Sequence, residues 1–285
     1  MFMHGVRHFR VALLRAFQHD ALLVAKGAAY SAMMTFFPGL LVLASVLAKA
    51  QEAAAFVREI SVALGTMLPP GSAEIAMRYF DPKKHNPFHV LWTAGAITFF
   101  ASTGVLISWM QGFRRAYGIE PNPWGLVHER LIAIALVPSA LVPMAFATVL
   151  VAFGNQIETW LSLRVVHELR PLLFILWTAT RWAIALLTSI LVLALIYHFA
   201  IPRERPWKQI LPGATLATAL WFPATLTFGW YVTHYANYTV IYGPLGAAIA
   251  LLVWLYMLSL IVLVGAEFNA SVHPRTRGRA ARHRA

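Results

Sequence analysis

The last third of the chain carries an uncharged run from Pro244 to Ala266, inside the longer stretch Tyr242 to Asn269. A helix of about 23 residues rising about 1.5 Å each spans a hydrocarbon core of roughly 30 Å. That run is too long for an ordinary buried core helix and too apolar for a soluble surface. The rest of the chain repeats the message. Hydrophobic residues make up 59% and charged residues 12%, against roughly 25% charged in a typical soluble domain. Mean hydropathy is +0.65. Too few polar residues remain to clothe a soluble particle of 285 residues, so an integral membrane protein follows. The absence of cysteine removes disulfides, thiolate metal sites and a cysteine nucleophile.

Six stretches have the length a bilayer demands: about Gly27–Ala48, Phe88–Met110, Leu131–Phe153, Leu172–Ala200, Ile210–Val232 and Pro244–Ala266. They are continuously apolar and do not alternate, which excludes membrane strands. The expected fold is all-α: a polytopic membrane protein with six transmembrane helices and a small helical extracytoplasmic cap. Pro38, Pro138, Pro143 and Pro223 fall inside spans, where each removes a backbone hydrogen bond and favours a kink. The small-residue face Ala94, Ala101, Gly104 reads as close helix packing.

The net charge of +12 is distributed as topology requires rather than as a nucleic-acid footprint. One side holds Arg7, Arg10, Arg15, Lys26, Arg114, Arg115, Arg130, Arg203, Arg205, Lys208 and the five arginines of the tail, 15 in all; the other holds 7. Positive residues are retained on the cytoplasmic side, so both termini are expected in the cytoplasm. Residues 1–26 read as a basic amphipathic segment on the membrane surface, 27–270 as the membrane domain, and 271–285 as a basic tail. Within 49–87, Gln51–Met67 has helical spacing through Phe56, Ile60 and Leu64, and Ser72–Tyr79 suits a second short helix, which together form the cap.

The order and spacing of several short motifs carry a family resemblance. They are Ala28-Ala29-Tyr30 with Phe37-Pro38, then Gly112-Phe113-Arg114-Arg115-Ala116-Tyr117-Gly118, then Pro212-Gly213-Ala214 and Trp221. Tyr242-Gly243 with Leu245-Gly246, Trp254-Leu255-Tyr256 and Gly265-Ala266-Glu267 complete the set. Across nearly its whole length the chain resembles the YihY / virulence factor BrkB family of bacterial inner-membrane proteins. It departs from the family at Arg114, where asparagine is usual. The resemblance implies a multi-pass inner-membrane protein of poorly defined activity, with transport or envelope maintenance suspected.

The family was long labelled ribonuclease BN, and the residues argue against nuclease chemistry here. A metal-dependent nuclease needs carboxylates or histidines converging on one or two ions. The 11 acidic residues are scattered singly, and His4 and His8, though at helical spacing, lack acidic partners. No catalytic residue, metal site or cofactor is expected, and no nucleotide-binding motif is present.

Seven residues stand out as candidates for binding substrate: Arg181, Glu267, Tyr242, Gly243, Trp254, Arg114 and Arg115. Arg181 interrupts the fourth span, where a charge costs roughly 2.5–3.5 kcal/mol on insertion scales. Two readings stay open for it. It contacts an anionic substrate group such as a lipid phosphate, or it snorkels to the outer interface while Trp182–Ala200 alone spans and Pro171–Arg181 forms an interfacial turn. Glu267 closes the sixth span, as an ion-pair partner of Arg114, Arg115 or Arg130, or as a proton relay. Asn269 reads as a helix-end hydrogen-bonder. Tyr235, Tyr238 and Tyr242 fit an aromatic belt, and Tyr242-Gly243-Pro244 also suits irregular backbone at a cavity entrance.

The leading functional expectation is transport or flipping of an amphipathic, anionic envelope component such as a lipid. The rival is a non-transporting accessory or scaffold protein of envelope maintenance. Membrane lipids are the expected partners, with a second copy or an envelope protein alongside, and nucleic acid is not. The transport reading requires a polar-lined cavity at membrane depth that reaches Arg181 or Glu267.

Overall fold

The structure, a computed structural model, describes residues 2–47, 87–120, 125–152, 170–202, 205–234 and 245–273. The expected cap helices, Tyr235, Tyr238, Tyr242, Gly243 and the basic tail from residue 274 lie outside the described residues. Every regular element among those described is helical: α1 (Phe2–Gln18), α2 (Ala21–Leu47), α3 (Pro87–Ala116), α4 (Gly125–Ala152), α5 (Arg170–Phe199), α6 (Trp207–His234) and α7 (Leu245–Val272). A chain in lipid must satisfy every backbone polar group internally, and uncharged apolar runs of this length do so only as helices.

Among the described residues, five helices are long and apolar enough to cross a membrane: Trp92–Ala116, Gly125–Leu150, Phe174–Phe199, Trp207–His234 and Leu245–Val272. Helix α2 runs 27 residues beside them. Pro38, Pro138, Pro143 and Pro223 lie within continuous helices, as does Pro212 near the start of α6. One expectation needs correction. The segment Pro171–Arg181 is no interfacial turn, because α5 is a single helix from Arg170 to Phe199. Its apolar periodicity runs through the arginine, and a helix of this length tolerates one charge on its side.

The six long helices close a ring. Each packs on the next in chain order, and α7 returns to α2 while also touching α3. Helix α1 lies across the end of α7. The α2–α3 pair is the most extensively packed, and small residues let it be so. A Cβ added at Gly104 would stand 2.9 Å from Ser31 Oγ, and Ala94 is buried, in line with the packing face read from the sequence.

Two turns aim the residues that matter below. Asp20, at φ 56°, reverses the chain between α1 and α2, in a left-handed conformation that Asp tolerates better than most residues. Gly118, at φ 59°, ends α3. Its N–H donates to Arg115 O and the Ile119 N–H to Arg114 O, the paired bonds of a Schellman cap that only a residue comfortable at positive φ completes.

Candidate functional site

Both described chain ends, the starts of α2, α4 and α6 and the ends of α3, α5 and α7 meet at one end of the ring, here the terminal end. Most of the polar pairing is concentrated there. Glu267, one and a half turns before the end of α7, is 2% exposed. Its Oε1 lies 2.6 Å from Nδ1 of His19, which is 35% exposed at the α1–α2 corner. Its Oε2 is buried and unpartnered. Arg15 on α1 acts on the same carboxyl electrostatically. The expected partners of Glu267 have gone elsewhere. Arg114 Nη2 donates to Glu129 Oε1 at 2.9 Å, and both side chains are nearly inaccessible. Arg115 pairs with Asp20 at 3.0 Å in an exposed position, and Arg130 is exposed. Sequence reasoning looked for a permanent cation along the loops and missed the histidine 248 residues away. Ala12 and Ala16, four apart and fully buried, were the available signal that α1 packs on the bundle rather than only on lipid.

Around this pair the end is tightly built. Asn269 Oδ1 accepts from the Gly213 N–H at 2.6 Å, and its Nδ2 donates to Ile210 O at 2.8 Å. Asn269 thus ties α7 to the backbone of α6 next to Pro212, where the helical ladder lacks a donor. The two helices touch backbone to backbone. A Cβ on Gly213 would enter the Gly265 carbonyl and the Asn269 amide, and one on Gly265 would stand 2.7 Å from Gly213 O. Tyr197 donates its hydroxyl to Val262 O at 2.6 Å and stacks edge-on against Phe113, with ring centroids 5.0 Å apart. Arg205 covers the Tyr117 ring at 4.5 Å and donates to His273 O. Burial pushes the Tyr117 phenol up to about 12, against the lowering field of Arg205 and with a smaller raising contribution from Glu267. Its buried hydroxyl has no partner.

Above this end the ring lines a half-open lumen of about 420 Å³, within the range of small-molecule sites. All six long helices line it at mid-helix positions, among them Thr35, Trp109, Ala140, Ser189, Trp221 and Ser259. Its character is apolar. The hydroxyls of Thr35, Ser102 and Ser189 donate back to their own helices, while the indole N–H of Trp109 is buried without a partner. Neither Arg181 nor Glu267 lines this lumen, so the polar-lined cavity that the sequence reading of transport required is not what this ring encloses. Phe113 and Tyr197 belong to the packed core at the terminal end.

The structure does not bring the candidate residues into one site. Arg181 is partly buried on α5, eight residues, or about 12 Å at helical rise, beyond the lumen residue Ser189. Trp254 is buried in a second apolar cluster with Phe228, Val232, Ala250 and Leu251, its Nε1 donating to Thr225 Oγ1 at 3.3 Å. Arg114 and Arg115 are held in ion pairs at the terminal end.

A ring of long apolar helices around an apolar lumen defines a polytopic α-helical membrane protein. Residues 12–285 match the family described as Virulence factor BrkB, and the chain belongs to that family. It is similar to a UPF0761 membrane protein of Tolumonas auensis, 29% identical over 93% of this chain and 85% of that protein. It also resembles the "Putative ribonuclease-like protein YfkH" of Bacillus subtilis, 30% identical over 58% of this chain and 59% of that one. A UPF0761 membrane protein of Alkalilimnicola ehrlichii is 44% identical over 31% of this chain, which spans only 19% of that relative. No solved structure matches.

Proposed function

We propose that the protein binds and moves an amphipathic, anionic envelope lipid across a bacterial inner membrane. The half-open lumen of about 420 Å³ lined by six helices carries this reading. Its apolar lining suits an acyl chain, and the unpartnered indole N–H of Trp109 suits an ester carbonyl. Arg181 lies further along α5, where a lipid phosphate would sit with its chain in the lumen. The polar route first expected from the sequence plays no part. In this reading α2 is a sixth span and both termini are cytoplasmic, as the basic segments favour. Reporter fusions at the two ends, active in the cytoplasm and silent outside it, test the orientation.

Reconstitution in vesicles tests the function. The parent protein should accelerate exchange of a labelled anionic lipid between leaflets. Ala140→Trp and Ser259→Phe, which fill the lumen, should reduce the rate at least tenfold, and Arg181→Ala should slow anionic lipids more than zwitterionic ones. Rates at the protein-free level with folded protein would sink the proposal.

The tightly packed terminal end favours one other reading, a non-transporting accessory or scaffold protein, alone or as copies of this chain. In that case lumen-filling variants should leave its cellular role intact. The ribonuclease-like label belongs to YfkH. Among the described residues no three of His, Cys, Asp or Glu stand together as a metal site, and we assign no enzymatic step.

A further inference from the structure

The terminal end holds a carboxyl in an unusual position. Glu267 is buried on α7, which packs on α1, α2, α3 and α6, yet the residue it meets, His19, is 35% exposed. Among the described residues no charged group other than His19 lies within ion-pair distance of Glu267. On α1, Arg7 and Arg10 are exposed, His8 is partly buried and Arg15 acts at a distance, while His19, just beyond its end, makes the contact. At the corner, Asp20 is taken by Arg115. On α2, Lys26 is exposed. On α3, Arg114 is taken by Glu129, and beyond its end Tyr117 lies under Arg205. On α6, Lys208 is exposed, and His273 beyond α7 accepts from Arg205 through its backbone. Glu267 therefore has one close partner, a side chain that can take up and release a proton.

We propose that Glu267 is a proton-binding site and His19 its port to the aqueous phase, so that the grip of α1 on α7 follows the proton. With one proton the pair is neutral overall, the proton lying along the 2.6 Å contact between Nδ1 and Oε1. A second proton enters through the imidazole and comes to rest on Oε2, the unpartnered oxygen. The result is an imidazolium beside a neutral carboxyl: the hydrogen bond to Oε1 can remain, but the charge–charge attraction across α1 and α7 is lost. Two groups this close titrate as a unit, so the response belongs to the pair. The inference stands apart from the lipid reading, because it concerns a site that the lumen does not touch.

Infrared difference spectra of the purified full-length protein between neutral and acid pH test it directly. The parent should gain a protonated-carboxyl band that is missing in Glu267→Gln. In His19→Gln, a change at a half-open position that folding readily accepts, the midpoint of that band should move by about one pH unit, a tenfold change in proton affinity. The chain has no cysteine, so Ala12→Cys, on the buried face of α1, supplies a second readout: its maleimide labelling, divided by that of the exposed Leu14→Cys at the same pH to cancel the loss of thiolate, should rise about tenfold on acidification. An identical band in Glu267→Gln, an unmoved midpoint in His19→Gln, or a labelling ratio of the two cysteine variants indifferent to pH would each overturn the proposal.

Discussion

Asn269 shows how much one side chain does at the crossing of α6 and α7. Its amide meets a backbone N–H and a backbone C=O of α6 at once, in a place closed to water. Asn269→Ala leaves both unmet and should cost about 1–3 kcal/mol per orphaned group, read as a lower unfolding midpoint in detergent. Gly213→Ala drives a methyl into backbone rather than into a flexible side chain, and should cost at least about 1–3 kcal/mol on the same measurement. The Arg114–Glu129 pair makes a sharper case. Removing Arg114 alone strands a buried carboxylate, at about 3–5 kcal/mol. The double change Arg114→Ala with Glu129→Ala should be less damaging than Arg114→Ala alone, and a double-mutant cycle measures the difference. Asn269 was legible as a helix-end hydrogen-bonder from its position just past the apolar run. Its two partners, 56 and 59 residues away, were not.

Helix α1 was read as an amphipathic element on the membrane surface, and its exposed Leu14 and Phe17 keep that character. The structure adds the opposite face. Ala12 and Ala16 are buried against the bundle because only small side chains allow a helix to lie this close to α7. Ala12→Leu should wedge α1 away, exposing Arg10 and Arg15 to trypsin severalfold faster while the ring stays folded. Unchanged cleavage would mean that α1 is held by its turn rather than by its face. The motif around Gly118 was visible in the chain as a family signature. Its physical meaning is the cap that turns Arg114 inward and leaves Arg115 outside.

For the molecule as a whole, the lumen separates two kinds of void. A packing defect gains from being filled, whereas a ligand site gains stability and loses function. Ala140→Leu and Ser259→Ala are small enough to distinguish them. Ala140→Leu should raise the unfolding midpoint by a few degrees, as cavity filling commonly contributes about 0.5–2 kcal/mol, while slowing lipid exchange. Ser259→Ala should change neither greatly. Added anionic lipid should stabilise the parent more than Ala140→Leu, since a bound ligand shifts unfolding only where its site remains.

Membrane residence, helical class, approximate helix positions and the basic character of one end follow from the order of residues alone. Hydropathy sums along a continuous stretch, and a stretch of about 20 apolar residues has few alternatives to a spanning helix. The pairing of Glu267 with His19 instead of an arginine, the wedge of Gly213 against Gly265, and an apolar lumen that bypasses both Arg181 and Glu267 required the assembled ring. Those features depend on the rotation of each helix about its axis and on which neighbours face it. A turn of 100° per residue changes the partner without changing any property of the run. The uncharged stretch from Pro244 to Ala266 marks a span, and only packing against α1 and α6 makes its last turns a polar junction.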